Sequence, residues 1–242
     1  MDFKRRQTLH FRSLFNPFLR FKSLLLNDRW VIESVFNGKK RGFFVEAGAF
    51  DGKFNSSCYV LEKHFGWRGI CVEPQVRFYQ ACIKNRPSSI VENVALSDKL
   101  GTATFVDAAV PGYSGIKTEL IRIEERAKRN GWIKNQWRTS GPYSERKVDT
   151  MPLHELLKKC DAPKIIDYIA MDIEGSEAPA FGGFPFDKYW IGCLSIEGPS
   201  CDDLLTAQGF VKVDNPFNQV GQWEHYFIHE DLVKSARSKS CC

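Results

Sequence analysis

Apolar residues along the chain switch between helical spacing and short continuous runs, and the order of these switches predicts the elements. Phe11, Leu14, Phe15 and Phe18 have helical spacing, interrupted by Pro17 unless a second helix starts after Asn16. Trp30, Val31, Val35 and Phe36 predict an amphipathic helix from Asp28, closed by Asn37-Gly38. Gly42–Glu46, Gly69–Glu73 and Ile90–Leu96 are compact apolar runs and read as strands. Helices are predicted between them over Ser56–Phe65 and Phe78–Asn85. Gly101–Val106 alternates like an added strand, and residues 107–147 show no clear strand. The rhythm resumes with a helix at Leu153–Lys159 and strands at Ile166–Met171 and Trp190–Ile196. Phe210–Val213 and His225–His229 then read as a terminal hairpin pair. Strands alternating with helices predict an α/β fold with a mostly parallel sheet covered on both faces. The late pair places an antiparallel strand near its edge.

With 242 residues, the chain has room for one such domain with extensions. Its 43% hydrophobic content and many aromatic residues exclude disorder, and no apolar stretch approaches 18 residues. The net charge of +5 is uneven, because residues 1–41 sum to +7 and the remainder to −2. The basic character therefore belongs to an amino-terminal arm, and the body does not demand a nucleic-acid partner. For that arm three readings stand: a membrane-surface helix, a transit peptide, and a helix packed on the domain with its Arg side chains snorkelling outward. The last is preferred. The expected organisation is an arm over 1–41, an α/β domain over 42–232 with a basic insertion at 107–147, and a basic Cys-ending tail over 233–242.

Eight Cys occur without a CxxC pair or zinc-type spacing, and Cys71 and Cys193 lie inside apolar runs. A reducing, cytoplasmic setting follows as the expectation, with membrane-surface association left open. The five His form no HExxH motif, and no Ser sits in a GxSxG turn. Cys241-Cys242 suits lipidation but not a CaaX signal, so an unmodified frayed tail is preferred.

In open α/β sheets, ligands bind beyond the carboxyl ends of the strands. Four apolar runs end in acids there: Glu46, Glu73, Asp172 and Glu197. Glu46 precedes a turn in which Gly48 and Gly52 stand four apart, so the pattern is ExGxxxG rather than the phosphate-binding GxGxxG. An acid repels a phosphate and suits a cation. S-adenosylmethionine, with an ammonium, a sulfonium and no phosphate, fits that chemistry. Glu73, ending the second strand, is placed to accept both ribose hydroxyls.

Asp172, Glu174 and Glu177 crowd three carboxylates into six residues, where like charges demand compensation. Asp172 or Glu174 can act as base toward a hydroxyl, or the pair can hold a divalent cation. Glu197 extends the same acidic wall. Glu177 reads better as a first-turn acid that favours the helix dipole. In residues 107–147, nine Lys and Arg with Trp132 and Trp137 suggest a solvated helix or, alternatively, a lid over an acceptor.

GFFVEAGAFDG at 42–52, Leu61-Glu62, GWRGICVEP at 66–74, Asn93–Ser97 and DYIAMDIEGSE at 167–177 together resemble the FkbM-type methyltransferases. The resemblance covers about 40–215. It departs at Ser56-Ser57-Cys58, where the family commonly shows Ser-Asn-Thr. It implies a Rossmann-like class I fold, with seven strands and the last antiparallel. It also implies S-adenosylmethionine-dependent O-methyl transfer, commonly to a sugar hydroxyl, so the expected acceptor is a carbohydrate or other small molecule. By position, Glu46, Gly48 and Gly52 would line the methionine half of the cofactor, Glu73 the ribose, and Asn93 and Ala95 the adenine. The competing expectation is a non-catalytic descendant that serves as a membrane-associated adaptor, motivated by the basic arm and the Cys tail.

Overall fold

The computed structural model describes residues 20–131, 135–221 and 223–239. The helix expected around Phe11–Phe18, Trp132, and the Cys241-Cys242 pair lie outside the described residues. The chain enters through a short helix α1 (Asn27–Arg29) that widens into a π-helix over Trp30–Val35. Here the Phe36 amide donates to the Val31 carbonyl five residues back. The apolar pairs Trp30/Val35 and Val31/Phe36 have that same five-residue spacing, so a wider helix replaces the expected α-helix.

Strand β1 (Phe43–Ala47) is followed by α2 (Tyr59–Phe65), β2 (Arg68–Val72), α3 (Val76–Asn85) and β3 (Ile90–Glu92). Helix α2 starts three residues later than expected, because Ser56–Cys58 serve Glu46 instead. The predicted strand Ile90–Leu96 splits into β3 and β4 (Ala95–Leu96), which belong to different sheets. Asn93 marks the split, its amide donating to the carbonyls of Glu73 and Pro74 at 2.8 Å each.

β5 (Gly101–Asp107), β6 (Gly115–Ile116), α4 (Lys117–Arg129), α5 (Gln136–Thr139) and β7 (Ser144–Met151) follow, with the insertion expected at 107–147 running from the end of β5 into β7. The expectation of no clear strand in 107–147 is corrected by β6 and by β7, which starts inside that block. Strand β7 reads as polar because only Val148 and Thr150 along it are buried. β4, β7, β5 and β6 make a second, four-stranded sheet in that order, so Gly101–Val106 is no addition to the main one.

The chain then returns through α6 (Leu153–Lys159), β8 (Ile165–Met171), α7 (Glu177–Ala180), β9 (Trp190–Glu197), α8 (Asp202–Ala207), β10 (Phe210–Val213), β11 (Glu224–His229) and α9 (Glu230–Lys239). Helix α9 runs across position 232, where the expected tail begins, and is helical to Lys239.

The main sheet has the order β10-β11-β9-β8-β1-β2-β3. β3, β2, β1, β8 and β9 are parallel neighbours, and β11 runs antiparallel to both β9 and β10. The antiparallel strand therefore stands one place in from the edge. Val45 and Ala47 join an apolar cluster with Leu153, Leu156 and Phe181 on one face. Phe44 joins Trp30, Tyr168, Cys193 and Tyr226 on the other. Both faces are buried, which is why these strands read as continuous apolar runs. The chain moves outward from β1 through β2 to β3 and returns on the other side through β8. That reversal opens a crevice beyond the ends of β1 and β8.

Candidate functional site

A cavity of about 540 Å³ fills that crevice. Its walls include Glu46–Phe50 after β1, Val72–Gln75 after β2, Val94–Leu96, Ala170–Glu174 after β8, and Glu197. Ser23–Leu25, Val110–Gly112 and Trp223-Glu224 also line it. Among the described residues, none lining it is Lys, Arg or His. Four cations of the insertion instead meet acids: Arg122 with Glu119, Arg138 with Glu124, Lys117 with Glu145, and Arg146 with Asp107. The insertion and β5 thus wall the cavity with uncharged residues, among them Phe105, Val110, Pro111 and Ile116.

Gly48 is the point of closest backbone approach. Its φ is +82°, and a Cβ built there would stand 2.0 Å from the Asp172 carbonyl. The Gly48 and Ala49 amides both donate to the Val72 carbonyl at 3.0 Å, which curls the turn over the end of β2. Only glycine satisfies both the dihedral and the space. Gly52 behaves differently and does not line the cavity. Its hypothetical Cβ meets Arg86 and Cys82 at 2.7 Å. The Gly52 position is thus spent on packing against a buried guanidinium.

Glu46 lines the cavity, yet its carboxylate is engaged within the protein. Oε2 meets Arg86 Nη1 at 2.7 Å, and Oε1 accepts from Ser56 Oγ and from the Ser57 and Cys58 amides. Arg86 also reaches Glu62 on α2 at 2.8 Å, while its guanidinium lies 5.0 Å over the Phe44 ring. The Ser56-Ser57-Cys58 stretch, where the chain departs from the family pattern, is therefore a clamp on Glu46. Glu46 was expected to answer a ligand cation, but Arg86 answers it first. Arg86 escaped sequence reading because a lone Arg after a helix looks like a solvated end.

Glu73 is 3% exposed, with one oxygen accepting from the Phe50 amide (2.9 Å) and the other from the Gln75 amide (2.8 Å). Burial raises its carboxyl from 4.5 to about 7, against those two donors. Each oxygen keeps a second lone pair. Beside it, Gln75 lines the cavity at 6% exposure, and its Oε1 has no hydrogen-bond partner in the protein. Sequence reasoning passed over Gln75, which carries no signal beyond its place two residues after Glu73. Ala95 lines the cavity, and Asn93 does not. The Asn93 amide fixes the backbone after Glu73 instead.

Asp172, Glu174 and Glu197 come together as anticipated, with carboxylate oxygens within 4.8 Å of one another. Asp172 projects into the cavity, where solvent reaches it while protein surrounds it. That enclosure, followed by the charges of Glu197 and Glu174, holds its carboxyl well above the usual range. Such a trio shares a proton or gathers round one divalent cation. Glu174 takes φ +53°, and its Cβ lies 3.2 Å from where a Cβ on Gly115 would stand, so β6 holds it from the insertion side. Ser176 lines the same wall at 2% exposure with a hydroxyl that has no partner in the protein.

Glu177 accepts from the Ile173 and Gly175 amides at 3.0 and 3.2 Å, tying the turn that carries Glu174. Burial and Glu197 raise it to about 7. Glu224, paired in register with Glu197 and also raised to about 7 by burial, accepts from Asn27 Nδ2 at 2.9 Å. It too was missed, since it opens a strand rather than ending one.

The model of the Methyltransferase FkbM domain matches residues 46–223. Among curated proteins, none matches the chain in sequence. Solved structures with a similar course include the Methanococcus jannaschii fibrillarin pre-rRNA processing protein, at 12% identity and TM-score 0.43, covering 88% of this chain and 75% of that one. An O-methyltransferase from Bacillus cereus in complex with SAH aligns at 9% identity and TM-score 0.43, over 85% and 81% of the two chains. A methyltransferase from Pyrococcus furiosus aligns at 16% identity and TM-score 0.32, over 78% and 76%. The matched span runs from the acid that opens the glycine turn to the strand beside the carboxylate trio, and the chain belongs to the FkbM family of methyltransferases.

Proposed function

We propose that the chain moves the methyl group of S-adenosylmethionine to a hydroxyl oxygen on a sugar or other small metabolite. The observation that carries this reading is Gly48 backed against Asp172, with the carboxylate trio on the same cavity wall. The residues fit the cofactor's parts. Glu73 offers a free lone pair on each oxygen to the two ribose hydroxyls, and the orphan Gln75 Oε1 suits the adenine amine. Ala95 gives the base an apolar wall, and the absent side chain of Gly48 leaves room for the methionine portion.

The cofactor supplies an electrophilic methyl carbon, so transfer forms a carbon–oxygen bond and breaks the carbon–sulfur bond. This chain's part is alignment and proton removal. Asp172, whose proton affinity is raised by its enclosure and its acidic neighbours, accepts the acceptor's proton. Glu174 and Glu197 share that proton; with Asp172 they would hold a divalent cation, which would supply a Lewis acid beside the hydroxyl. Cys58, Cys71, Cys82, Cys160, Cys193 and Cys201 are free thiols. Among the described residues, no helix is long and apolar enough to cross a membrane.

The test is transfer of labelled methyl to a panel of sugar and metabolite hydroxyls, with and without EDTA. Incorporation into an oxygen supports the reading, and loss on EDTA with recovery on added Mg²⁺ assigns the trio to a metal. Labelling of nitrogen or carbon acceptors alone would overturn O-methylation.

A further inference from the structure

We infer that Leu24, Phe54, Val110 and Trp223 form the acceptor-selecting rim, and that the acceptor is an amphipathic hydroxyl compound with an alkyl or ring body. This inference rests on the methyl-transfer reading and narrows its acceptor. The four side chains are 62%, 71%, 44% and 61% exposed, yet all line the one cavity that leads to Asp172. Large apolar groups scattered singly on a surface need no explanation, whereas a set converging on one opening marks a binding site.

The rim is physically continuous on one side. The Leu24 amide donates to Asn55 Oδ1, next to Phe54. Three residues on from Leu24, Asn27 donates to Glu224, whose neighbour is Trp223. The Trp223 carbonyl accepts from the Gly198 amide at 2.7 Å, directly after Glu197. Val110 faces from the insertion, where Gly115 packs on Glu174. Through Trp223 and Val110 the rim thus adjoins the carboxylates assigned to proton removal, at Glu197 and Glu174, while Phe54 packs on Phe50, whose amide donates to Glu73.

Two of the four are aliphatic, and Leu25 and Pro111 line the wall with them. A bare sugar would set its hydroxyls against Leu24 and Val110 and leave them unsatisfied. An alkyl or ring body would cover these side chains and hold its polar hydroxyl toward Asp172. The cavity of about 540 Å³ holds the cofactor as well, so the space left for the acceptor is that of one small molecule, which favours a single amphiphile over a bilayer.

The full chain is titrated with the neutral fluorophore N-phenyl-1-naphthylamine, with and without SAH, and n-octyl glucoside and methyl glucoside are compared as competitors. Saturable binding of one probe per chain is expected. Octyl glucoside should displace it at concentrations at least tenfold below those methyl glucoside needs. The Leu24→Ser/Trp223→Ser variant should bind the probe at least tenfold more weakly while binding SAH as before. Unsaturable probe binding, equal competition by the two glucosides, or an unaffected double variant would overturn the inference. Pelleting with phosphatidylcholine/phosphatidylserine vesicles that depends on Leu24 and Trp223, without saturable probe binding, would also overturn it and assign the rim to a membrane. Failure of SAH to bind the folded wild-type protein would strike the methyl-transfer reading alone, since the probe titration reports on the rim independently.

Discussion

Arg86, at the end of α3, meets Glu46, at the end of β1, through a 2.7 Å contact in which the guanidinium side chain is wholly buried. The same guanidinium holds Glu62 of α2 at 2.8 Å, so one cation ties the first strand and the two following helices beneath the cofactor turn. Breaking a buried ion pair by removing one partner costs about 3–5 kcal/mol, because the remaining charges stay buried and uncompensated. Arg86→Met should therefore lower the unfolding free energy by about that amount, read from urea denaturation. Arg86→Lys should restore little, since an ammonium lacks the planar fork that spans two carboxylates. Wild-type stability in either variant would show that the triad is not what holds the turn.

Glu73 links pH to cofactor affinity. Its carboxyl is raised to about 7, and only the ionised form offers both oxygens as acceptors to the ribose. Affinity for SAH should rise between pH 6 and pH 8 and level off above. Glu73→Gln should bind more weakly and lose most of that rise. Calorimetric titrations across the range provide the check, and an unchanged pH profile in the variant would remove Glu73 from the site.

Stability carries the opposite dependence. Asp28, Glu177 and Glu224 are raised by burial to about 7, from 3.8, 4.5 and 4.5. Folding therefore takes up protons wherever the unfolded carboxylates are ionised and the folded ones are not. The stabilisation is complete below about pH 4 and is lost as pH rises through about 7. Glu224→Gln keeps an acceptor for Asn27 and removes one buried charge. Its melting temperature should exceed the wild type's at pH 8 by roughly 2–4 °C, and the gap should close toward pH 5. A gap that stays constant with pH would place the titration elsewhere.

Asp172→Asn tests proton removal without changing shape. Loss of a positioned base typically lowers turnover about 10²- to 10⁴-fold. SAH affinity should change little, because the contact of Gly48 with residue 172 is to its backbone carbonyl. Steady-state kinetics and calorimetry on the same sample separate the two effects. Turnover within twofold of wild type would pass the role to another group.

The main sheet was legible because strands buried on both faces are mostly apolar, as Phe43–Val45 and Tyr168–Met171 are. The acids ending those strands were legible for the same reason, since a charge after an apolar run marks where the sheet meets the crevice. The second sheet was not, because β7 fills two of its covered positions with Arg146 and Thr150, so its alternating burial does not show as an alternation of apolar and polar residues. Glu46 illustrates a subtler limit. Its place beside the cavity could be read, but its partner Arg86 lies 40 residues away and comes near only through the packing of α3. Gln75 and Ser176 were invisible for a related reason, because an orphaned polar atom exists only once its neighbours are placed.

The central claim is that the crevice over β1 and β8 holds S-adenosylmethionine, and titration of SAH into wild-type and Gly48→Ala protein tests it most directly. The account predicts single-site binding with a raised melting temperature in the wild type. Both should be lost in the variant, whose added methyl would sit against the Asp172 carbonyl. A folded wild-type protein that shows neither heat nor a thermal shift, or a Gly48→Ala protein that binds SAH as tightly as the wild type, would contradict it.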